Sequence, residues 1–545
     1  MGVRKKINKY IAVSETPSSI FSPYWGPIEG ACKMKSEVET EEQLLKELED
    51  LRQRTVELRT SEADSKRVEK TLKASERKYR YLFENMLNGF AYCKILGAGP
   101  LASHYQIWEE LGAIQDREIV YYDELIRYEG SDGSVFDFYT DIDRLGRHMK
   151  ELAPEDEDII EEFTKGARTF INFNMPVDKA PELYSPIDGI KMMSKMFRYL
   201  PVMRKWKNVS LGEFARRFKN PLLRKFLLTW GPPPGPGMTP GFFPILGMMV
   251  ALASMHRKST GYPVGGSLEF SKAIERRYLA LGGKINYKSK IAKILVEDDH
   301  AVGVQLDDGS EYRADYTISA ADGHTTIFNM LEGKYIDEEI HGYYDKLPRF
   351  PAIIHVALGV ARSFDDFPCS SFGIDFPLDE PVIIAGNTLE RLRVNAIYNF
   401  DPTLAPKGKT VLRVWFPSDY DYWKTLQADP KCYLSAKEEI ADKIVQMLEK
   451  RFPGLAAQVE MRDVATPMTY ERYTGNWQGS FEGWLPTMNT FGMRIRKILP
   501  GLSNFYMVGQ WVEPASTIAY VAVSGRNVIQ VICKQDKKKF VAKIG

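Results

Sequence analysis

No stretch of the 545 residues reaches the roughly 18 to 20 unbroken apolar residues of a membrane span. The nearest, residues 241–253 (GFFPILGMMVALA), holds one Pro and two Gly and runs straight into Ser254, His256, Arg257 and Lys258, so it reads as a buried core helix. Cysteine is scarce. The five, at positions 32, 93, 369, 432 and 533, form no C-x-x-C pair. The basic opening MGVRKKINKYIAV has too short an apolar part for a secretory leader, which makes a reducing cytoplasm the simplest expectation. The 7 His show no H-x-x-x-H and no Cys/His cluster, so no metal site is expected. Charge of one sign is lacking too: 73 basic against 72 acidic residues leave a net +1, and nucleic acid is not the partner such a balance implies.

What is present is globular. A 44% hydrophobic share with 28 Phe, 28 Tyr and 9 Trp supplies large cores, and the length calls for two to four domains or layers. Residues 190–207 (IKMMSKMFRYLPVMRKWK) interleave Met, Phe and Leu with Lys and Arg. Such a pattern suits peripheral contact with a membrane, but Pro201 breaks it, and an ordinary helix with a solvated basic face is the plainer reading.

Residues 93–113 read CKILGAGPLASHYQIWEELGA, with G-x-G-x-x-A at Gly97, Gly99 and Ala102 and a later apolar run, IVYY, before Asp123 and Glu124. This is the outline of a dinucleotide-binding βαβ unit. Two details oppose it. Pro100 removes a backbone donor where phosphate would be held, and Asp123 follows Gly99 by 24 residues, later than the roughly 20 usual for a ribose-binding acid.

The chain divides by composition. Residues 1–35 are a tail. Residues 36–78 contain no Gly or Pro and place Leu44, Leu48, Leu51 and Leu58 on heptad spacing, which predicts a long helix or coiled coil through which two copies would pair; Glu62, Ser65 and Glu69 end the apolar seam. Residues 75–95 (SERKYRYLFENMLNGFAYCKI) resemble the opening of a PAS sensor domain, truncated by residue 96. Residues 97–255 form a mostly helical region. An acid-rich first turn is expected in its second helix, and residues 231–241 (GPPPGPGMTPG) are irregular. Residues 256–335 combine a Gly-rich turn, a helix with Leu268, Ile274 and Leu279 inward, a strand beginning before Tyr287, and a β-meander ending in the buried strand YTISA. Residues 336–465 are strand-rich, with a helix over 437–452, and residues 466–545 end in strand, Gly turn, loop and a helix from Ile518. A strand delivering Gly509 and Gln510 to a turn before a helix N-terminus would offer N–H groups and a positive dipole end to phosphate or to developing negative charge.

Three stretches, residues 261–322, 466–484 (TPMTYERYTGNWQGSFEGW) and 505–527, resemble the flavin-dependent oxidoreductases that include phytoene desaturase, carotenoid isomerase and retinol saturase. The resemblance runs from about residue 97 to Cys533 and assigns residues 97–255 to the substrate side. It implies an α/β plus α+β, two-domain flavin amine-oxidoreductase-like fold; with GAGPLA matched to the family's substrate side, the N-terminal βαβ unit is missing and a long helix stands before the fold. It implies FAD as cofactor, weakly held without that unit, and leaves NAD(P) open. By motif, Ile291 would lie against the adenine; Gly261, Tyr262, Pro263, Gly265 and Gly266 would approach the flavin ring; Gly509 and Gln510 would contact the pyrophosphate or ribityl chain; and Thr517, Ile518 and Ala519 would face the isoalloxazine edge. In Ala515, Ser516 and Thr517 the chain departs from the family's Gly-rich run, crowding that approach. The chemistry implied is hydride transfer with a long apolar polyene, as desaturation, saturation or isomerisation. Met192, Met193, Met196, Phe197, Phe242, Phe243, Met248 and Met249 suit such a substrate or are simply core, and no catalytic acid or base stands out. The alternatives are a coiled-coil and PAS signalling or scaffold protein, for which no output motif is present, and a non-catalytic remnant of the flavoenzyme.

Overall fold

Three strands run parallel in the order β1 (Tyr10–Val13), β9 (Tyr316–Ser319), β15 (Phe505–Met507), and they align Val13, Ser319 and Met507 in one row at their C-terminal ends. In this computed structural model the described residues are 10–13, 102–174, 177–231, 238–367, 373–490, 493–514 and 518–542, all in the unit formed by residues 1–17 and 86–545. The coiled-coil stretch 36–78, the PAS-like stretch, Gly97, Gly99, most of the proline-rich loop and residues 515–517 lie outside the described residues. The opening was read as a tail, yet YIAV contributes a strand: four residues of β-forming character fit beside β9 even though the basic run before them hides the signal.

The chain after the Ala102–Glu110 helix settles the reading of the G-x-G-x-x-A stretch. Its following apolar run forms β2 (Ile119–Val120), which pairs antiparallel with β5 (Tyr262–Pro263) and takes no place in the parallel sheet. A βαβ unit needs its second strand there.

The meander forms as expected from β6 (Ile291–Glu297), β7 (His300–Leu306) and β8 (Glu311–Arg313), after which β9 leaves for the parallel sheet. Residues 281–290 form no strand; pairing of β6 begins at Ile291. The helix before it, Gly266–Ala280, buries Phe270 and Ala273, with Leu279 exposed. At about 100° per residue, Leu268 and Leu279 fall opposite Phe270 and Ala273, so the three expected residues share no face.

The largest sheet has seven strands in the order β14 (Val459–Ala465), β10 (Ile353–Val360), β13 (Thr410–Pro417), β12 (Asn387–Ile397), β11 (Ile374–Ile384), β3 (Glu124–Glu129) and β4 (Val135–Tyr139). All pairs are antiparallel except β11 with β3. One face of its β10 and β13, made by Ile354, Val356, Leu358, Leu412, Val414 and Phe416, packs on the Pro430–Arg451 helix through Ile440, Ile444 and Leu448. That helix starts before residue 437 because Asp429 caps it, accepting from the N–H groups of Lys431 and Cys432, and Pro430 occupies its first turn. A second core joins Phe136 and Phe138 of β4 to the helices Ile142–Leu152, Glu157–Thr169, Pro221–Thr229 and Ile245–His256. Glu157 and Asp158 sit in the first turn of the second of these, as expected, and Ile245–His256 is buried along most of its length.

Candidate functional site

In a parallel sheet the loops leaving the C-terminal strand ends are where ligands bind. Here those loops carry residues 320–322 and 508–510. The Val508 N–H donates to the Ser319 carbonyl at 2.9 Å, which carries the chain on to Gly509 with φ 103°. A side chain is disfavoured at that φ, yet among the described residues an added Cβ would meet nothing nearer than the Ala320 carbonyl at 3.8 Å. The Gly509 N–H itself is taken, donating to the buried Ser524 hydroxyl at 2.9 Å, and this fixes the turn against the Ile518–Gln535 helix. Ala519 in the first turn of that helix shares a core cluster with Phe270, in the first turn and a half of Gly266–Ala280, and with Ile107 and Trp108. Ile518 and Ala519 are thereby brought to the helix that Gly265 and Gly266 open, through Phe270 and Ile274. Thr517 lies outside the described residues.

The 466–484 signature is tied to the same strand ends. Asp322, buried, accepts from the Thr325 N–H at 2.7 Å and from the Trp477 N–H at 2.9 Å. The Gln510 amide donates to Asn476 at 2.9 Å, and the Trp484 indole donates to the Trp511 carbonyl at 3.0 Å. Gly483 is demanded by this approach, since a Cβ there would lie 2.3 Å from the Gln510 carbonyl oxygen. Trp477 stacks on His324 at 4.6 Å and carries the Arg349 guanidinium over its ring at 4.8 Å, while Trp484 and Trp511 meet edge to face at 5.0 Å. Burial lowers the pKa of both His324 and Arg349. Ile291 sits at the start of β6 in the core cluster that also holds Trp484, Trp511 and Val512, apart from the cluster of Phe270 and Ala519.

The GYPVGG turn has a different anchor. Gly261 passes so close to β2 that a Cβ would lie 2.5 Å from Ile119, and Gly265 and Gly266 take φ 96° and 70° at the helix start. The buried Asp401 carboxylate accepts from the Tyr262 hydroxyl at 2.7 Å and from the Gly265 N–H at 3.0 Å.

Between this turn and the late signature runs the second face of the seven-stranded sheet. On β10 and β13 it carries His355, Ala357, Arg413 and Trp415, with His355 opposite Trp415 and Ala357 opposite Arg413. The Tyr262 ring packs on Phe400 and Tyr398, Arg413 lies over Tyr398 at 5.9 Å, and Trp415 packs on Phe481, which packs on Phe350. His355 is wholly buried; burial first, and then the Arg413 charge, hold its pKa well below the usual value. The result is a largely buried aromatic wall with a few polar groups. His355, Arg413, Trp415 and Asp401 were not among the expected site residues. For His355 and Arg413 the signal is one titratable residue inside each of two apolar strands, IIHVALGV and TVLRVWFP; Asp401 lies in the loop between β12 and β13 and has no such signal. The Met and Phe residues suggested for substrate divide instead: Met248, Met249 and Phe243 are core, while Met193 and Phe197 are exposed. Among the described residues no group of three or more His, Cys, Asp or Glu could hold a metal ion.

This chain is similar over 289 residues, at 29% identity, to the chloroplastic prolycopene isomerase of Arabidopsis thaliana, a match covering 52% of this chain and 47% of that protein. It is 24% identical over 448 residues to the neurosporene-forming phytoene desaturase of Rhodobacter capsulatus, covering 78% of this chain and 82% of that one. The chain spans about half the length of the prolycopene isomerases it matches. Among solved structures, an oxidoreductase from Methanosarcina mazei aligns with a TM-score of 0.45 and 18% identity over 76% of this chain and 82% of that one. The sequence pattern of the family described as flavin containing amine oxidoreductase matches residues 196–533, more than half of the molecule. The chain belongs to the flavin containing amine oxidoreductase family.

Proposed function

We propose that this protein is an FAD-dependent oxidoreductase acting on a long conjugated polyene of the carotenoid kind. The observation that carries the reading is the continuity of the site. The parallel strand ends with the open turn at Gly509 are joined through Asp322, Trp477 and Gln510 to the signature holding Phe481, and Phe481 begins the wall that returns through Trp415, Arg413 and Tyr398 to Tyr262. The relatives named for isomerising prolycopene and desaturating phytoene point to the same substrate class.

The residues fit a flavin on two observations: the space beside Gly509 that no described residue fills, and the left-handed glycines at Gly265 and Gly266, which carry no side chain. Gly509, Gln510, Ile518 and Ala519 would hold the flavin from one side and residues 261–266 from another. After Val13 the sequence reads SETPSS, with no glycine before Gly26. When bound, a flavin supplies hydride transfer to or from a carbon of the polyene. The chain's own work is binding and exclusion of water. The Tyr262, Tyr398, Phe400, Trp415 and Phe481 rings offer flat apolar surface to a rigid polyene, and His355, held neutral, adds no charge to that wall.

The test is anaerobic incubation of the FAD-supplemented chain with a poly-cis conjugated polyene, following the polyene's absorption and separating its isomers. Conversion that requires both protein and FAD supports the reading. Unchanged polyene in the presence of protein with bound flavin contradicts it.

A further inference from the structure

The helix Pro186–Met196 buries none of its residues. Its outward side chains are nevertheless apolar: Ile187 is 64% exposed, Ile190 70%, Met193 55% and, just past its end, Phe197 74%. At about 100° per residue these four fall within an arc of about 120°, and Lys191, Lys195 and Arg198 fall in the arc beside it. Met196, on the far side, packs against the helical core and so turns the apolar arc outward. From residue 187 to 207 there are six basic residues and one acid. That acid, Asp188, is consumed locally: it accepts from the Ser185 N–H at 2.8 Å, the Ser185 hydroxyl at 2.6 Å and the Lys179 ammonium at 2.6 Å. Pro201 ends the pattern by opening a new helix, Leu200–Trp206, which adds exposed Arg204 and Lys205 to the basic side. An ordinary solvated helix would show charge outward and bury its Ile and Phe; this one exposes its Ile and Phe together with its charge.

We infer that the Pro186–Tyr199 segment, residues 186–199, is a membrane-surface docking element, which lays Ile187, Ile190, Met193 and Phe197 into the interface of an anionic bilayer while Lys191, Lys195 and Arg198 meet lipid phosphates. Charge complementarity selects this occupant: an apolar stripe bordered by cations matches an acidic lipid surface, whereas a second copy would oppose like charges. Contact is peripheral, because among the described residues no helix is long and apolar enough to cross a membrane. The inference stands on this helix alone and does not depend on the proposed reaction.

The experiment is flotation of the full chain with vesicles of phosphatidylcholine alone or with about one third phosphatidylglycerol. The wild type should float with the anionic vesicles, bind the neutral ones about tenfold more weakly, and be released by high salt. Ile190→Ser with Phe197→Ser, and separately Lys191→Glu with Lys195→Glu, should each weaken anionic binding about tenfold. Their thermal unfolding should match the wild type, since the replaced side chains are exposed. Failure of the wild type to float, or floating unchanged in both variants, overturns the inference. So does a dimer in sedimentation that the Ile190/Phe197 variant dissociates, which would make the stripe an interface between copies.

Discussion

Asp401 holds Tyr262 and the turn behind it through one carboxylate oxygen, which accepts from the Tyr262 hydroxyl at 2.7 Å and from the Gly265 N–H at 3.0 Å. Its other oxygen accepts from the N–H and hydroxyl of Thr403. A buried carboxylate with four such donors fixes the one glycine turn that faces the aromatic wall. Asp401→Asn should therefore destabilise the fold by about 2–3 kcal/mol and Tyr262→Phe by about 1 kcal/mol in urea unfolding, with bound flavin falling in the same order. Equal and small effects would show that the turn is held by its packing on β2 instead.

Gly509→Ala separates backbone strain from steric exclusion. The φ of 103° makes an L side chain cost about 1–2 kcal/mol, but among the described residues the added methyl meets nothing nearer than the Ala320 carbonyl at 3.8 Å. The fold should survive with a slightly lower midpoint while flavin retention drops well beyond that loss. Unchanged retention would place the cofactor away from this turn.

His355 gives the protein a pH signature. Its folded pKa lies well below the usual value, so the native state stays neutral while the unfolded chain takes up a proton below about pH 6.5. The unfolded state then binds more protons, and stability falls as pH drops from about 6.5 toward the folded value, by up to about 1.4 kcal/mol per pH unit. His148 and His324, also depressed by burial, act in the same direction. Unfolding curves between about pH 7 and pH 5 should be shallower in pH for His355→Gln than for the wild type. Identical slopes would mean that the imidazole is already charged in the fold.

The buried Trp484 and the half-buried Trp415 differ by one hydrogen bond. The Trp484 N–H donates to the Trp511 carbonyl at 3.0 Å, whereas the Trp415 N–H finds no acceptor among the described residues. Trp484→Phe should cost about 1–2 kcal/mol more than Trp415→Phe, as measured by thermal or urea unfolding. Trp415→Phe should act chiefly on polyene conversion.

The sequence patterns that read well were those set by local chemistry. The DDH and DDGS turns mark the meander, and the Gly turn before Ile518 marks the terminal helix; both form where residue type dictates. Where tertiary packing decides, reading failed. Leu268 and Leu279 look like core residues until the helix is docked through Phe270, and YIAV looks like part of a basic tail until β9 offers it an edge. For the site, Gly265, Gly266, Gly509 and Gln510 could be named because a special φ or a turn demands them. His355, Arg413 and Asp401 could not, because they come from strands and loops far apart in sequence and converge only when the seven-stranded sheet closes on the turn at Tyr262.

The most direct measurement is the visible absorption spectrum of the purified full chain after excess FAD has been added and the unbound part removed. The proposed flavin binding requires a retained flavin spectrum, perturbed from that of free FAD and much reduced in Gly509→Ala. A folded but colourless protein would contradict it, leaving the family membership as ancestry without the chemistry.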